Sequence, residues 1–393
     1  MAPPKRPDHR SAALRFVVLI GVVSLFADAT YEGARSMTGP FLGVLGASAA
    51  VVGIVAGLGE LLGYTLRLAS GYLADRTRRY WTLTVAGYLV NLGAVPLLAL
   101  TGHWPVAAVL IVVERIGKAI RTPARDAMLS YATHQVGRGW GFGLHEALDQ
   151  IGAVAGPLVV AGVFAVRASY RDAFGVLAVP GALAIGILLT ARALYPTPQN
   201  LEIEAPRLAS GGLRKPFWIY LAGTALVGAG YADFLLIAFH FDQRAVVPAA
   251  SIPVLYAIAM AVDALAALVF GRLFDRWGLI ALVIAVALSA LFAPLVFFGG
   301  VVAAVVGMVL WGVGLGAQES IMRAAVAEMV PADRRGSAYG IFNTGYGLFW
   351  FAGSVVMGLL YSRSLALLVG FSVVAQASAM PLLLWARRAG KTR

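Results

Sequence analysis

Val112–Tyr131 reads VVERIGKAIRTPARDAMLSY and carries Glu114, Arg115, Lys118, Arg121, Arg125 and Asp126 in a chain that is otherwise oily. Wound as a helix, Glu114, Lys118, Arg121 and Arg125 follow at intervals of four, three and four residues and form one charged stripe. Each charge at membrane depth costs at least ~2.5–3.5 kcal/mol on insertion scales. Such a stripe must therefore face partners, water or a bound molecule, not lipid.

Outward from that stretch, the composition sets the class. The 393 residues are 60% hydrophobic and 13% charged, with a mean hydropathy of +0.81. Soluble domains carry about 25% charged residues, so the chain is a polytopic membrane protein. It has no cysteine, which excludes disulfides, iron–sulfur clusters and thiolate metal sites. The net charge of +12 lies in short clusters between apolar runs. These clusters read as topology signals and contacts to anionic lipid, not as a nucleic-acid surface.

Runs long enough for a ~30 Å hydrocarbon core predict spans near 13–40, 47–70, 80–101, 105–131, 139–166 and 172–194, then 216–241, 248–271, 279–299, 301–327, 336–361 and 364–386. The expected fold is all-α: twelve membrane helices in two six-helix bundles, 13–194 and 216–386. A polar linker (195–215) joins them, and tails at 1–12 and 387–393 flank them. A signal peptide is the rival reading of the basic N-terminus, but no small-residue cleavage site follows before Asp28. Lys and Arg gather in the tails, the linker and the loops at Arg76–Arg79, Arg272–Arg276 and Arg334–Arg335. By the positive-inside rule both termini and the linker are cytoplasmic, in a bacterial or archaeal inner membrane.

The halves repeat. Gly71-Tyr-Leu-Ala-Asp75-Arg76 recurs as Gly271-Arg-Leu-Phe-Asp275-Arg276, and Gly156 recurs as Gly353. Two such halves describe parallel repeats about an axis along the membrane normal, and favour an alternating-access carrier.

The pattern G-x-L-x-D-R-x-x-R at Gly71–Arg79, echoed at Gly271–Arg276, resembles the signature loop of the major facilitator superfamily, with Arg78 where the family loop usually has Gly. The resemblance implies that the loop glycines let helices approach closely. It also implies that Asp75 sits near a helix N-terminus of the opposite half, where negative charge is favoured, and that Arg76 and Arg79 anchor to the cytoplasmic face. Gly152-Ala-Val-Ala-Gly156-Pro157 is similar to the fifth-helix element of the superfamily's antiporters, which leans toward export. Arg115 lies where its drug/proton antiporters place an arginine, although Lys118-Ala119 replaces the Gln-Gly that follows there. Glu114–Ala127 more closely resembles a bacterial and archaeal branch of the superfamily whose cargo is unassigned.

Counted along their helices, Asp28 lies ~18 Å from Phe16 and Arg115 ~14 Å from Val106, near the midplane of their spans. In the superfamily's fold the first and fourth helices line the cavity, so Asp28 and Arg115 are expected to pair. Glu32 shares the face of Asp28, and Asp149 reaches mid-depth in the fifth span. Burial and a neighbouring arginine pull a carboxyl group's protonation in opposite directions, the balance a proton carrier requires. Asp28, Glu32, Glu114, Arg115 and Asp149 are therefore the expected coupling residues. Arg35, Lys118, His145, Glu146, Asn343, Tyr346 and Trp350 are expected at the substrate cavity. Arg121, Arg125 and Asp126, nearer the cytoplasmic end, are expected at a gate with Gly71, Asp75, Arg76, Arg79, Gly271, Asp275 and Arg276.

The histidines lack metal-ligand spacing, and neither a phosphate-binding loop nor a nucleophile elbow is found. No cofactor, metal or enzymatic activity is expected. The expectation is a gradient-driven secondary transporter acting as a monomer, with protons, a small organic molecule and membrane lipid as its partners and no nucleic acid. Proton-coupled export leads. Uptake or exchange of an organic anion is the alternative, and a lipid flippase or a non-transporting receptor is the alternative of another class.

Overall fold

The computed structural model describes residues 9–136, 138–197, 215–330 and 335–391. Most of the expected linker, the first eight residues of the N-terminal tail and the last two of the C-terminal tail lie outside these residues. Among the described residues, twelve crossings are built from fifteen α-helices. The first five are single helices: α1 (His9–Val44), α2 (Ala49–Thr77), α3 (Tyr80–Leu97), α4 (Trp104–Val136) and α5 (Arg138–Arg167). The sixth is split into α6 (Tyr170–Val176) and α7 (Ala178–Leu194). In the second bundle, α8 (Lys215–Gly230) and α9 (Phe234–Gln243) make one crossing, followed by α10 (Ser251–Trp277). The pair α11 (Leu279–Ser289) and α12 (Phe292–Phe298) makes the next, and α13 (Val301–Met329), α14 (Arg335–Arg363) and α15 (Leu365–Lys391) complete the chain.

Among the described residues, eleven helical stretches are long and apolar enough to cross a membrane. The missing crossing is α4, because of its own charges. It still runs as one helix through Pro123. Large apolar side chains on the outside, such as Val109, Leu265 and Val374, are more than 60% exposed, as a lipid-facing surface requires.

The repeat holds at the level of single contacts. A Cβ added at Gly156 in α5 would collide with the Ala29 carbonyl of α1, and one at Gly353 in α14 with the Ala229 carbonyl of α8. Gly117 meets Asn91 between α4 and α3, while Gly314 meets Ser289 between α13 and α11. Small residues thus set the interhelical spacing at matching places in each bundle. The signature-loop glycines do not share this role. Gly71 would place a Cβ at an ordinary 3.5 Å from Pro123, and Gly271 faces open space. The close approach expected of them is absent: neither position has a neighbour nearer than ordinary van der Waals contact. The unusual backbone lies seven residues on, where Arg78 caps α2 at φ 53° and its repeat partner Gly278 caps α10 at φ 59°. The family's glycine is thus replaced at a left-handed position, where a side chain costs about 1–2 kcal/mol. Arg76 and Arg79 are exposed, Arg76 donating to the Tyr72 hydroxyl at 3.3 Å. Asp275 and Arg276 are likewise exposed, and the Asp75 side chain is outside what is described.

Gly156→Ala and Gly353→Ala should each destabilise the detergent-purified chain by about 1–3 kcal/mol of overpacking, read as a lower melting temperature. Gly162→Ala, which meets open space, should not. Equal melting of all three variants would contradict the packing described.

Candidate functional site

The charges of α4 meet α1 as an antiparallel ladder. Arg125 Nη1 donates to Ser24 Oγ at 3.0 Å, Arg121 Nη2 lies 3.9 Å from Asp28 Oδ1, and Lys118 Nζ lies 3.8 Å from Glu32 Oε1. Each step back along α1 is a step forward along α4. Aromatic faces complete the rungs: Lys118 stands 3.8 Å over the Tyr31 ring and Arg121 lies 4.2 Å from the centre of Tyr88.

This register corrects two expectations. Asp28 faces Arg121 and not Arg115, which is six residues away, ~9 Å along the helix. Counting depth from the apolar edge of each span ignored the relative offset of the two helices. Arg121 is accordingly no cytoplasmic-gate residue. It is 1% exposed, deep beneath Tyr31 and Tyr88. Arg125 and Asp126 pair at 2.9 Å and also belong to the cavity wall.

Arg115 belongs to a second cluster, nearer the opposite face. It lies 3.7 Å from Glu60 of α2 and 3.3 Å from its neighbour Glu114. Arg35 of α1 reaches the same Glu60 oxygen at 3.1 Å and crosses to the other bundle, where it meets Asp233 Oδ2 at 2.9 Å. Asp233 stands where the seventh crossing is broken, between α8 and α9. Its other oxygen accepts from the Leu235 amide at 3.0 Å and caps α9. An exposed N-cap would be unremarkable; here the carboxylate is 2% exposed and tied to an arginine of the opposite half. Tyr256 of α10 makes a second crossing, donating to Glu32 Oε2 at 2.5 Å.

These groups line a cavity of about 490 Å³ between the bundles, within the range of small-molecule sites. One wall is charged: Asp28, Glu32, Arg35, Arg115, Lys118, Glu146 and Asp149 all contribute. The other is aromatic and polar, with Trp311, Gln318, Phe342, Asn343, Tyr346 and Trp350. Tyr346 donates to Gln318 Oε1 at 2.7 Å and packs edge-on against Trp350. Beyond Arg35, the α1 glycines Gly39 and Gly43 press on Leu235 and Phe239 of α9, and Gly53 and Gly57 of α2 press on α14. At the other end Asp126 is 44% exposed and Glu146 is exposed. The cavity is thus sealed on one face and open toward the face that bears the basic loops.

Two expected residues do not reach it. His145 is buried against α1, its Nε2 2.9 Å from Ser24 Oγ, because α5 turns that face to its own bundle. Glu114 points to α3, accepting from Asn91 Nδ2 at 2.6 Å, so neither lines the cavity. Glu60, Asp233, Tyr256 and Asp263 are cavity or latch residues that the sequence did not single out as a site. For Asp233 the signal was present: an acidic residue between a glycine-rich helix end and an apolar run is the signature of a helix N-cap.

Residues 21–354 match the sequence profile of the Major Facilitator Superfamily. An uncharacterised protein of Mycobacterium tuberculosis is 45% identical over 365 residues, 91% of this chain and 89% of its own length. An uncharacterised MFS-type transporter of Methanocaldococcus jannaschii is 27% identical over 362 residues, 88% of this chain and 89% of the relative. Among solved structures, the nucleoside transporter NupG superposes with a TM-score of 0.74 at 15% identity, covering 96% of this chain and all of that one. A likeness at that identity speaks for the fold and not for the cargo.

The ladder register is open to a double-mutant cycle on melting free energy. Asp28→Asn with Arg121→Gln should show a coupling of about 0.5–3 kcal/mol, whereas Asp28→Asn with Arg115→Gln should be additive. Coupling to Arg115 in place of Arg121 would contradict the geometry.

Proposed function

The chain belongs to the major facilitator superfamily, and on that premise we propose that it is a proton-coupled exporter of small organic molecules. At the coarser level it is a secondary transporter of that type, working across a membrane it spans many times. Both termini lie on the cytoplasmic side of the cell membrane in this reading, which rests on the distribution of Lys and Arg. The cavity then opens inward in the state described, and Arg35–Asp233 lies at its sealed, outer end.

The observation that carries the reading is the looseness of the ladder. Asp28 and Glu32 stand 3.9 and 3.8 Å from Arg121 and Lys118, at the limit of ion pairing and longer than charge-assisted hydrogen bonds of ~2.7–2.9 Å. Both carboxylates line the water-accessible cavity. A proton arriving at Asp28 replaces a weak pair without breaking a tight one. Glu32 also holds Tyr256 across the bundle interface, so its protonation bears directly on how the halves fit. Gly152 and Gly156 seat α5 on Leu25 and Ala29 and keep that side of α1 fixed against its own bundle.

The test uses proteoliposomes and a cargo found by thermal-shift screening. Wild-type vesicles should accumulate the cargo when a pH gradient is imposed and lose it when an ionophore collapses the gradient. Asp28→Asn and Glu32→Gln should abolish gradient-driven accumulation while retaining counterflow exchange. Accumulation by both variants at the wild-type level would overturn the assignment, and indifference to the gradient would overturn proton coupling.

A further inference from the structure

The cavity's charges do not balance, and the imbalance has a location. Among the described residues that line it are eight carboxylates and six lysine or arginine side chains, every one of the six from the first bundle. Five of those cations lie within 4 Å of a carboxylate, and the sixth, Arg67, stands over the ring of Tyr64. Arg121 has two N–H groups without a hydrogen-bond partner, but it is sheathed by Tyr31 and Tyr88 and held beside Asp28. The basic stripe is therefore spent within the protein.

Asp263 is different. It sits in α10, on the bundle that offers the cavity no described cation, and it is 2% exposed. Its Oδ2 accepts only a long hydrogen bond, 3.4 Å, from Gln150 of the other bundle, and its Oδ1 has no partner. Gly312 and Gly316 allow α13 to press on α10 at Ala259 and Asp263. This seats the carboxylate against Gly316, a little over one helical turn from Trp311, and Asp263 and Trp311 both line the cavity. Trp350, farther along the same wall, keeps a buried indole N–H without a partner. A carboxylate lacking a counter-charge in a cavity lined by electron-rich rings is the chemistry that recognises a cation.

We propose that Asp263 and the aromatic wall of Trp311, Tyr346 and Trp350 form a subsite for an organic cation with an apolar or aromatic body. The proposal rests on the cavity being the cargo site and is independent of proton coupling and of direction. The anion alternative suggested by the α4 stripe requires a cation to spare, and the stripe has none outside its own pairs.

The test is a binding measurement on the purified full chain in nanodiscs with no gradient, corrected for partition into empty discs. The probes are tetraphenylphosphonium and tetraphenylborate, a cation and an anion of nearly one shape. The wild type should bind the cation more tightly than the anion. Asp263→Asn should weaken the cation at least about tenfold, the size of a lost charged hydrogen bond, and leave the anion unchanged or tighter. Asp263→Glu should recover part of the cation affinity, and a melting curve for each variant reports folding. Preference for the anion, or unaltered cation binding in a folded Asp263→Asn, would overturn the subsite. Cation selectivity in a protein whose transport ignores a pH gradient would leave the subsite standing and remove the proton-coupled reading instead.

Discussion

One bridge governs the arrangement of the rest: Arg35 in α1 joins Glu60 in its own bundle to Asp233 in the other. Both carboxylates are withdrawn from bulk water, and removing one partner of such a buried pair leaves an uncompensated charge costing several kcal/mol. The sealed end of the cavity is therefore held by charge, over glycine contacts that bring α1 and α2 against α9 and α14. Below the bridge runs the α1–α4 ladder, whose two ion pairs, Lys118–Glu32 and Arg121–Asp28, are both longer than the bridge itself. The molecule thus combines a tight tie where it is closed with loose pairs where the cavity admits water.

That division also accounts for the broken seventh crossing. A continuous helix would direct residue 233 elsewhere. The interruption after Gly230 frees Asp233 to cap α9 with one oxygen and to bind Arg35 with the other. Trp311 satisfies the neighbouring backbone by donating to the Ala232 carbonyl at 2.9 Å, so the break leaves few polar groups unmet, as a bilayer demands. The same tryptophan presents its ring to the cavity. The aromatic wall and the latch are in this way parts of a single construction.

Much of this was legible in the residues. Apolar run lengths and the repeat of Gly71–Arg76 at Gly271–Arg276 are local properties, and they foretold two bundles of six crossings. The charged stripe of Val112–Tyr131 was correctly read as facing away from lipid, since its cost in hydrocarbon leaves no other place. What failed was register. Asp28 and Arg115 matched in counted depth, yet the offset between α1 and α4 is set by packing, including Gly117 against Asn91 and Gly156 against Ala29. No single-helix count contains that offset. Azimuth failed likewise for His145 and Glu114, which lie at suitable depth but turn into their own bundle. Arg78 is the converse case: the residue at which the sequence departs from the family loop is the one that holds a left-handed backbone, at φ 53°.

Because the chain has no native cysteine, spin labels can be introduced without background at Leu100 and Val302, on the sealed-side rims of the two bundles and 70% and 78% exposed. Asparagine at 233 would keep the helix cap and remove the charge. The distance distribution between labels at Leu100→Cys and Val302→Cys should be narrow and short in the parent, and should gain a longer component with Asp233→Asn, as the sealed face opens once the Arg35 bridge is lost. A distribution unchanged by Asp233→Asn would contradict the view that this bridge holds the two halves closed.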